Sequence, residues 1–175
     1  KPLGVLVQWN CHPETLDDKN REVSADFTGY TVQHLSKKFG CPAIYFTGTV
    51  GGLMTSLKVP IKDEKGNELK DGTFEKTEAY GIAVGKVAVK ALEGSTEVKL
   101  VPFAVRKRAV LVPVENGLYK IGAQLGVLQR PMYEWHGTPT PKEFQETKDV
   151  TKPVAVKTEV GLLRFGELDI AAIPG

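Results

Sequence analysis

The chain has 175 residues, 41% of them hydrophobic, and its 23 basic and 21 acidic side chains leave a net charge of +2. That balance excludes a dedicated nucleic-acid surface, and the sequence holds neither a signal peptide nor an apolar run near the ~18–20 residues of a membrane span. The length suits a single domain with a real core, since a chain of about 150 residues buries roughly 70% of its unfolded surface.

Residues 3–9 form a short, mostly apolar run and read as a buried strand. A polar loop follows from His12-Pro13-Glu14 to Ser24. Ser24 or Asp26 is placed to cap a helix over 27–39, which Gly40 ends before Pro42. Residues 43–47 read as the next strand, so strand, helix and strand predict a parallel, right-handed βαβ unit. The two cysteines, Cys11 and Cys41, would then sit at opposite ends of the paired strands, beyond bridging reach, and are expected to be free thiols.

Residues 48–56 are glycine-rich, and 58–72 read as an exposed excursion with turn signals at Asp63-Glu-Lys-Gly-Asn67 and Lys70-Asp-Gly72. Thr73 can cap a long helix over 74–92, closed by Gly94. Gly81 and Gly85 lie one turn apart in it, and each costs about 1 kcal/mol relative to Ala. Close packing of that helix against the sheet is the expected compensation.

Beyond Gly94 the periodicity changes. Val98, Leu100, Phe103, Val105, Ala109 and Leu111 alternate with polar residues, which predicts strand with an interruption near Pro102. A short helix is expected over 118–128 and a long loop over 130–150. The runs 154–165 and 168–173 flank Gly166-Glu167, a hairpin signal because Gly supplies the positive φ of a type II′ turn. The expected fold class is α/β, a mixed β-sheet with flanking helices. It divides into an α/β segment over 1–94 and a β-rich segment over 95–175. Lys1, two residues before a strand, and Gly175, directly after one, read as cut ends, so a piece of a longer protein is expected.

Sites in open α/β sheets are built at the C-terminal ends of strands. His12 stands there with Asn10 and Glu14 nearby, either as a metal ligand or as a structural, solvent-facing histidine. Asp26 is either a helix cap or a hydrogen-bond partner that orients His12. Gly51 and Gly52 permit a tight turn that brings backbone N–H groups close to an oxyanion, and are equally ordinary as a loop exit. Arg106-Lys107-Arg108 reads as a solvated strand face, and Trp135-His136 as a loop anchor. Glu115 and Asn116 read as turn residues.

The order and wording of Val5-Leu-Val-Gln-Trp-Asn-Cys-His12-Pro-Glu, Ser24-Ala-Asp-Phe-Thr-Gly-Tyr30 and Ile44-Tyr-Phe-Thr-Gly-Thr-Val-Gly-Gly-Leu-Met-Thr-Ser56 resemble the N-terminal domain of neutral/alkaline ceramidases, which are zinc-dependent amidases. The bacterial ceramidase-like proteins of unassigned substrate are the more similar group. The resemblance covers 4–57 and recurs at 160–175. It implies a zinc-dependent hydrolase acting on amide or ester bonds of a small-molecule or lipid-like substrate, in a secreted or periplasmic protein.

By the same resemblance His12 matches a zinc ligand. The family's remaining ligands are an earlier His, a Glu directly after an Ile/Val-Pro-Gly strand end, and a Tyr. The Pro-Gly strand end stands here as Ile173-Pro174-Gly175. The family loop Asn-x-Gly-Asp-x-Ser-Pro, aligned on Gly51, sets Met54 in place of its Ser. Thr55 and Ser56 are the nearest hydroxyls, one and two residues later. The isolated chain is therefore expected to be inactive, and the alternative is a non-catalytic domain that binds lipid, glycan or protein.

Overall fold

The computed structural model describes residues 2–51 and 54–173, with three helices and seven strands in parallel and antiparallel sheets. The fold is α/β with a β-rich C-terminal half. The chain divides into two compact units, Lys1–Thr96 and Glu97–Gly175.

In the first unit, β1 (Val5–Trp9) pairs in parallel with β2 (Ala43–Thr47), Val5 opposite Ala43 and Trp9 opposite Thr47. Helix α1 (Asp26–Phe39) makes the connection. It begins one residue earlier than the periodicity predicts, because Asp26 itself holds the first turn. Ser24 Oγ accepts from the Asp26 N–H, and Asp26 Oδ1 accepts from the Phe27 N–H at 2.7 Å. Asp26 sits at φ +52°, a region that Asp tolerates better than most residues. At the far end Gly40 turns left-handed at φ +62°, and its N–H closes onto the Ser36 carbonyl.

Helix α2 (Phe74–Glu93) starts where Thr73 Oγ1 accepts from the Lys76 N–H. Its glycines serve α1 and not the sheet, contrary to the expectation. A Cβ on Gly81 would lie 2.5 Å from the Phe27 carbonyl oxygen and 2.7 Å from Tyr30 Cβ, and one on Gly85 would meet the His34 ring at 2.7 Å. Thr31 Oγ1 donates to the Gly81 carbonyl across this seam at 2.9 Å. Two apolar clusters fill the interior. Val5, Val7 and Leu35 form one, and Cys11, Phe27, Tyr80 and Val84 the other. Phe27 stands edge-on to both Tyr45 and Tyr80, the favoured arrangement for aromatic pairs.

The second unit is an antiparallel sheet centred on β6 (Val154–Phe165), with β3 (Phe103–Pro113) along one side. Helix α3 (Gly117–Gln124) follows β3, capped by the Asn116 side chain, which accepts from Leu118 and Tyr119 N–H. The stretch 130–150 is not all loop. It contains β4 (Met132–Glu134) and β5 (Glu146–Thr147), which pair with each other while β4 also pairs with β6. These strands are too short for a period-two pattern to register, and the prolines and glycine around them mask them. The hairpin to β7 (Leu168–Ala172) turns at Gly166 with φ +58°, as its Gly-Glu pair predicts. Leu111, Tyr133 and Ala155 form one core cluster here, and Met132, Val150 and Val154 the other.

Candidate functional site

The parallel pairing of β1 and β2 resumes past the strands, and this builds the candidate site. The Trp9 carbonyl accepts from the Gly48 N–H at 3.1 Å, the His12 N–H donates to the Met54 carbonyl at 2.8 Å, and His12 bridges to Thr55. Asn10 Nδ2 donates to Thr49 Oγ1 at 3.1 Å, while its Oδ1 accepts from Gln8 Nε2. The Asn10 and Gln8 side-chain ends lie over Gly48, where a Cβ would have to displace them. A surface depression of about 320 Å³ lies against Gln8, Trp9 and Asn10.

His12 is half-buried, and its Nε2 lies 2.8 Å from the Gly51 carbonyl oxygen. The backbone group that Gly51 presents is therefore its carbonyl, whereas an oxyanion site would need an N–H. Gly52 lies outside the described residues. Asp26 is buried and spends both oxygens on backbone. Oδ1 accepts from Thr15 N–H at 3.1 Å as well as from Phe27, and Oδ2 accepts from Leu16 N–H at 3.0 Å. It pins the turn three and four residues past His12 to the start of α1, which makes it a cap and a loop tie.

Of the hydroxyls, Ser56 is fully buried and shares a 2.6 Å hydrogen bond with Thr15 Oγ1. Thr55 Oγ1 accepts from the Leu57 N–H in a local turn. Neither has a neighbouring base among its hydrogen-bond partners, so neither is set up as a nucleophile.

Beneath the site runs a chain of aromatic polar groups. Trp9 Nε1 donates to Tyr80 Oη at 3.4 Å, Tyr80 Oη to Cys11 Sγ at 3.6 Å, and Tyr45 Oη to the Trp9 carbonyl at 3.2 Å. Burial pushes the Cys11 thiol above its ordinary value, and burial likewise raises Tyr80 to about 12. Both stay protonated at neutral pH and serve packing.

The donor set does not fit a metal centre. A catalytic zinc takes three or more protein ligands plus water. Among the described residues no three His, Cys, Asp or Glu side chains gather, and the His12 nitrogen facing the loop is bonded to a carbonyl. His34 packs against Gly85, and His136 pairs with Glu134 in the second unit at 3.1 Å. Both cysteines are free thiols. Among the described residues no helix is long and apolar enough to cross a membrane.

Sequence reasoning missed one feature of this unit. Lys76 is only 2% exposed, on the inner face of α2, with its Nζ 2.5 Å from Asp71 Oδ1. Asp71 also accepts from the Lys58 N–H, so the ion pair ties the 58–72 excursion to the helix. The signal was available: Lys76 falls one turn before Tyr80 on a face continued by Val84.

Compared with models of protein families, with curated proteins and with solved structures, the chain matches none.

Proposed function

We propose that these residues belong to a ceramidase-like hydrolase of amide or ester bonds, and that the first unit carries part of its substrate site. The gathering of His12, Asn10, Thr49 and Gly51 at the C-terminal ends of β1 and β2 supports this reading, because open α/β sheets place ligands there. The family likeness of the three N-terminal blocks points the same way. The zinc that this likeness implies finds only one of its ligands here, so no step of the reaction is routed through it. The chain by itself is expected to hydrolyse nothing.

The test is an NMR titration of the chain with a short-chain N-acyl amino alcohol. Shift changes confined to Asn10, His12, Thr49 and Gly51 are expected, without turnover. No change at those four residues would sink the reading. Turnover accompanied by stoichiometric zinc would overturn the expected inactivity.

A non-catalytic binding domain is the second reading. The burial of Ser56 and the presence of Met54 at the serine position favour it, since they leave a formed surface without a nucleophile. Tight binding of a lipid or glycan, together with inactivity of a longer gene product spanning these residues, would favour it over the first.

A further inference from the structure

We infer that the second unit binds a small monocarboxylate with a compact apolar body, in the cavity between the C-terminal end of α3 and the β4–β5 pair. The cavity has a volume of about 570 Å³, within the ~300–1,000 Å³ of small-molecule sites. It is formed by residues of this unit alone and owes nothing to the site at the ends of β1 and β2. Its floor follows from the strand register. Met132 stands opposite both Thr147 and Val156, and the buried Met132 and Val150 make an apolar base that Ala123 and Leu128 extend from the α3 side. Successive residues of a strand point to opposite faces of the sheet. The next pair, Tyr133 with Glu146, therefore faces away. Glu146 borders the cavity, but its carboxylate accepts from Tyr133 Oη at 3.0 Å on that other face.

The remaining charged residues of the lining are Arg130 and Lys148, and among the described residues neither has an ion-pair partner. Arg130 Nη2 donates to the Lys157 carbonyl at 3.1 Å, which holds the guanidinium in place. Its other N–H groups have no acceptor among the described residues, and a planar guanidinium suits the two oxygens of a carboxylate. Gln124 and Gln129 add carboxamides that can donate to the same oxygens. No carboxylate is turned into the cavity to pair with an ammonium, so an acid without an amino group fits better than a zwitterion. An exposed ion pair alone contributes little to binding. The apolar floor must therefore act together with the cations, and the ligand needs both an acid group and an apolar body.

Titration of the chain with phenylpropionate, followed by amide NMR, tests this. Saturable shift changes at Gln124, Arg130, Thr147 and Val150 are expected. Phenylpropanol, which lacks the charge, and acetate, which lacks the body, should each bind about tenfold more weakly or worse. Arg130→Gln should raise the Kd for phenylpropionate by about tenfold or more, since a charge-assisted contact is lost. That variant also releases the Lys157 carbonyl, so Lys148→Gln, which removes an exposed side chain, provides the second test and should weaken binding several-fold. Circular dichroism of each variant reports whether it is folded. No shift change at the four residues would overturn the proposal. So would phenylpropanol binding as tightly as phenylpropionate, or a folded Lys148→Gln variant that binds as the parent does.

Discussion

The imidazole Nε2 of His12 and the carbonyl oxygen of Gly51 lie 2.8 Å apart, joining the residue that follows β1 to the loop that follows β2. A single hydrogen bond of this kind contributes about 1 kcal/mol. His12→Ala should lower unfolding free energy by that amount, and His12→Gln should restore part of it, because a side-chain amide can also donate to the carbonyl. Urea titration of the three proteins measures this. Added zinc should leave the midpoint unmoved, since a ligand stabilises only what it binds.

Asp26 accepts three backbone N–H groups with its two oxygens. Asp26→Asn keeps the tolerance for positive φ but replaces one acceptor with a donor. It should cost about 1–3 kcal/mol, the range for a buried group left unsatisfied. Amide hydrogen exchange should show the loss first at Leu16, whose N–H faces Oδ2.

Gly81→Ala sets two effects against each other. Helix propensity favours the change by about 1 kcal/mol. The new Cβ would meet the Phe27 carbonyl oxygen at 2.5 Å, and backbone cannot step aside cheaply. Overpacking should win by about 1–3 kcal/mol, lowering the thermal midpoint.

The Lys76–Asp71 pair is asymmetric, with side-chain exposures of 3% and 33%. Asp71→Ala strands a buried ammonium and should cost about 3 kcal/mol or more, whereas Lys76→Met leaves a carboxylate that water can reach and should cost about 1 kcal/mol or less. The Lys76 ammonium, as hydrogen-bond donor, holds the Asp71 carboxyl below its ordinary value. A carboxyl with a depressed folded pKa stabilises the fold above its unfolded pKa, and that stability is lost as pH falls through the folded value. Stability curves in mild acid should therefore flatten in Asp71→Ala relative to the parent.

Cys11 is 2% exposed and its thiol is raised by burial, while Cys41 is half-buried. A thiol reagent at mildly alkaline pH should modify Cys41 in the native chain and reach Cys11 only in denaturant. Mass spectrometry of the labelled peptides distinguishes the two.

Much of the architecture was legible because it rests on local rules. The βαβ start, the Thr73 cap, the Gly40 and Gly94 helix ends and the Gly166 hairpin each follow from residues within a few positions of one another. The paired strands at 132–134 and 146–147 were not legible, because their partners lie far away in sequence and each is too short to show a period. In the site, position was readable and partnership was not. His12 does follow a strand end, yet its bond to Gly51 spans 39 residues.

The sequence by itself determined the βαβ start, the long helix after Thr73 and the hairpin at Gly166, and that polar residues collect at the ends of β1 and β2. Only the tertiary structure decided what those residues touch. It gave Asp26 to three backbone amides, Ser56 to Thr15, and Lys76 to Asp71. The reason is physical: caps and turns are satisfied within a few residues, whereas a buried polar side chain must be satisfied by whatever the fold brings beside it.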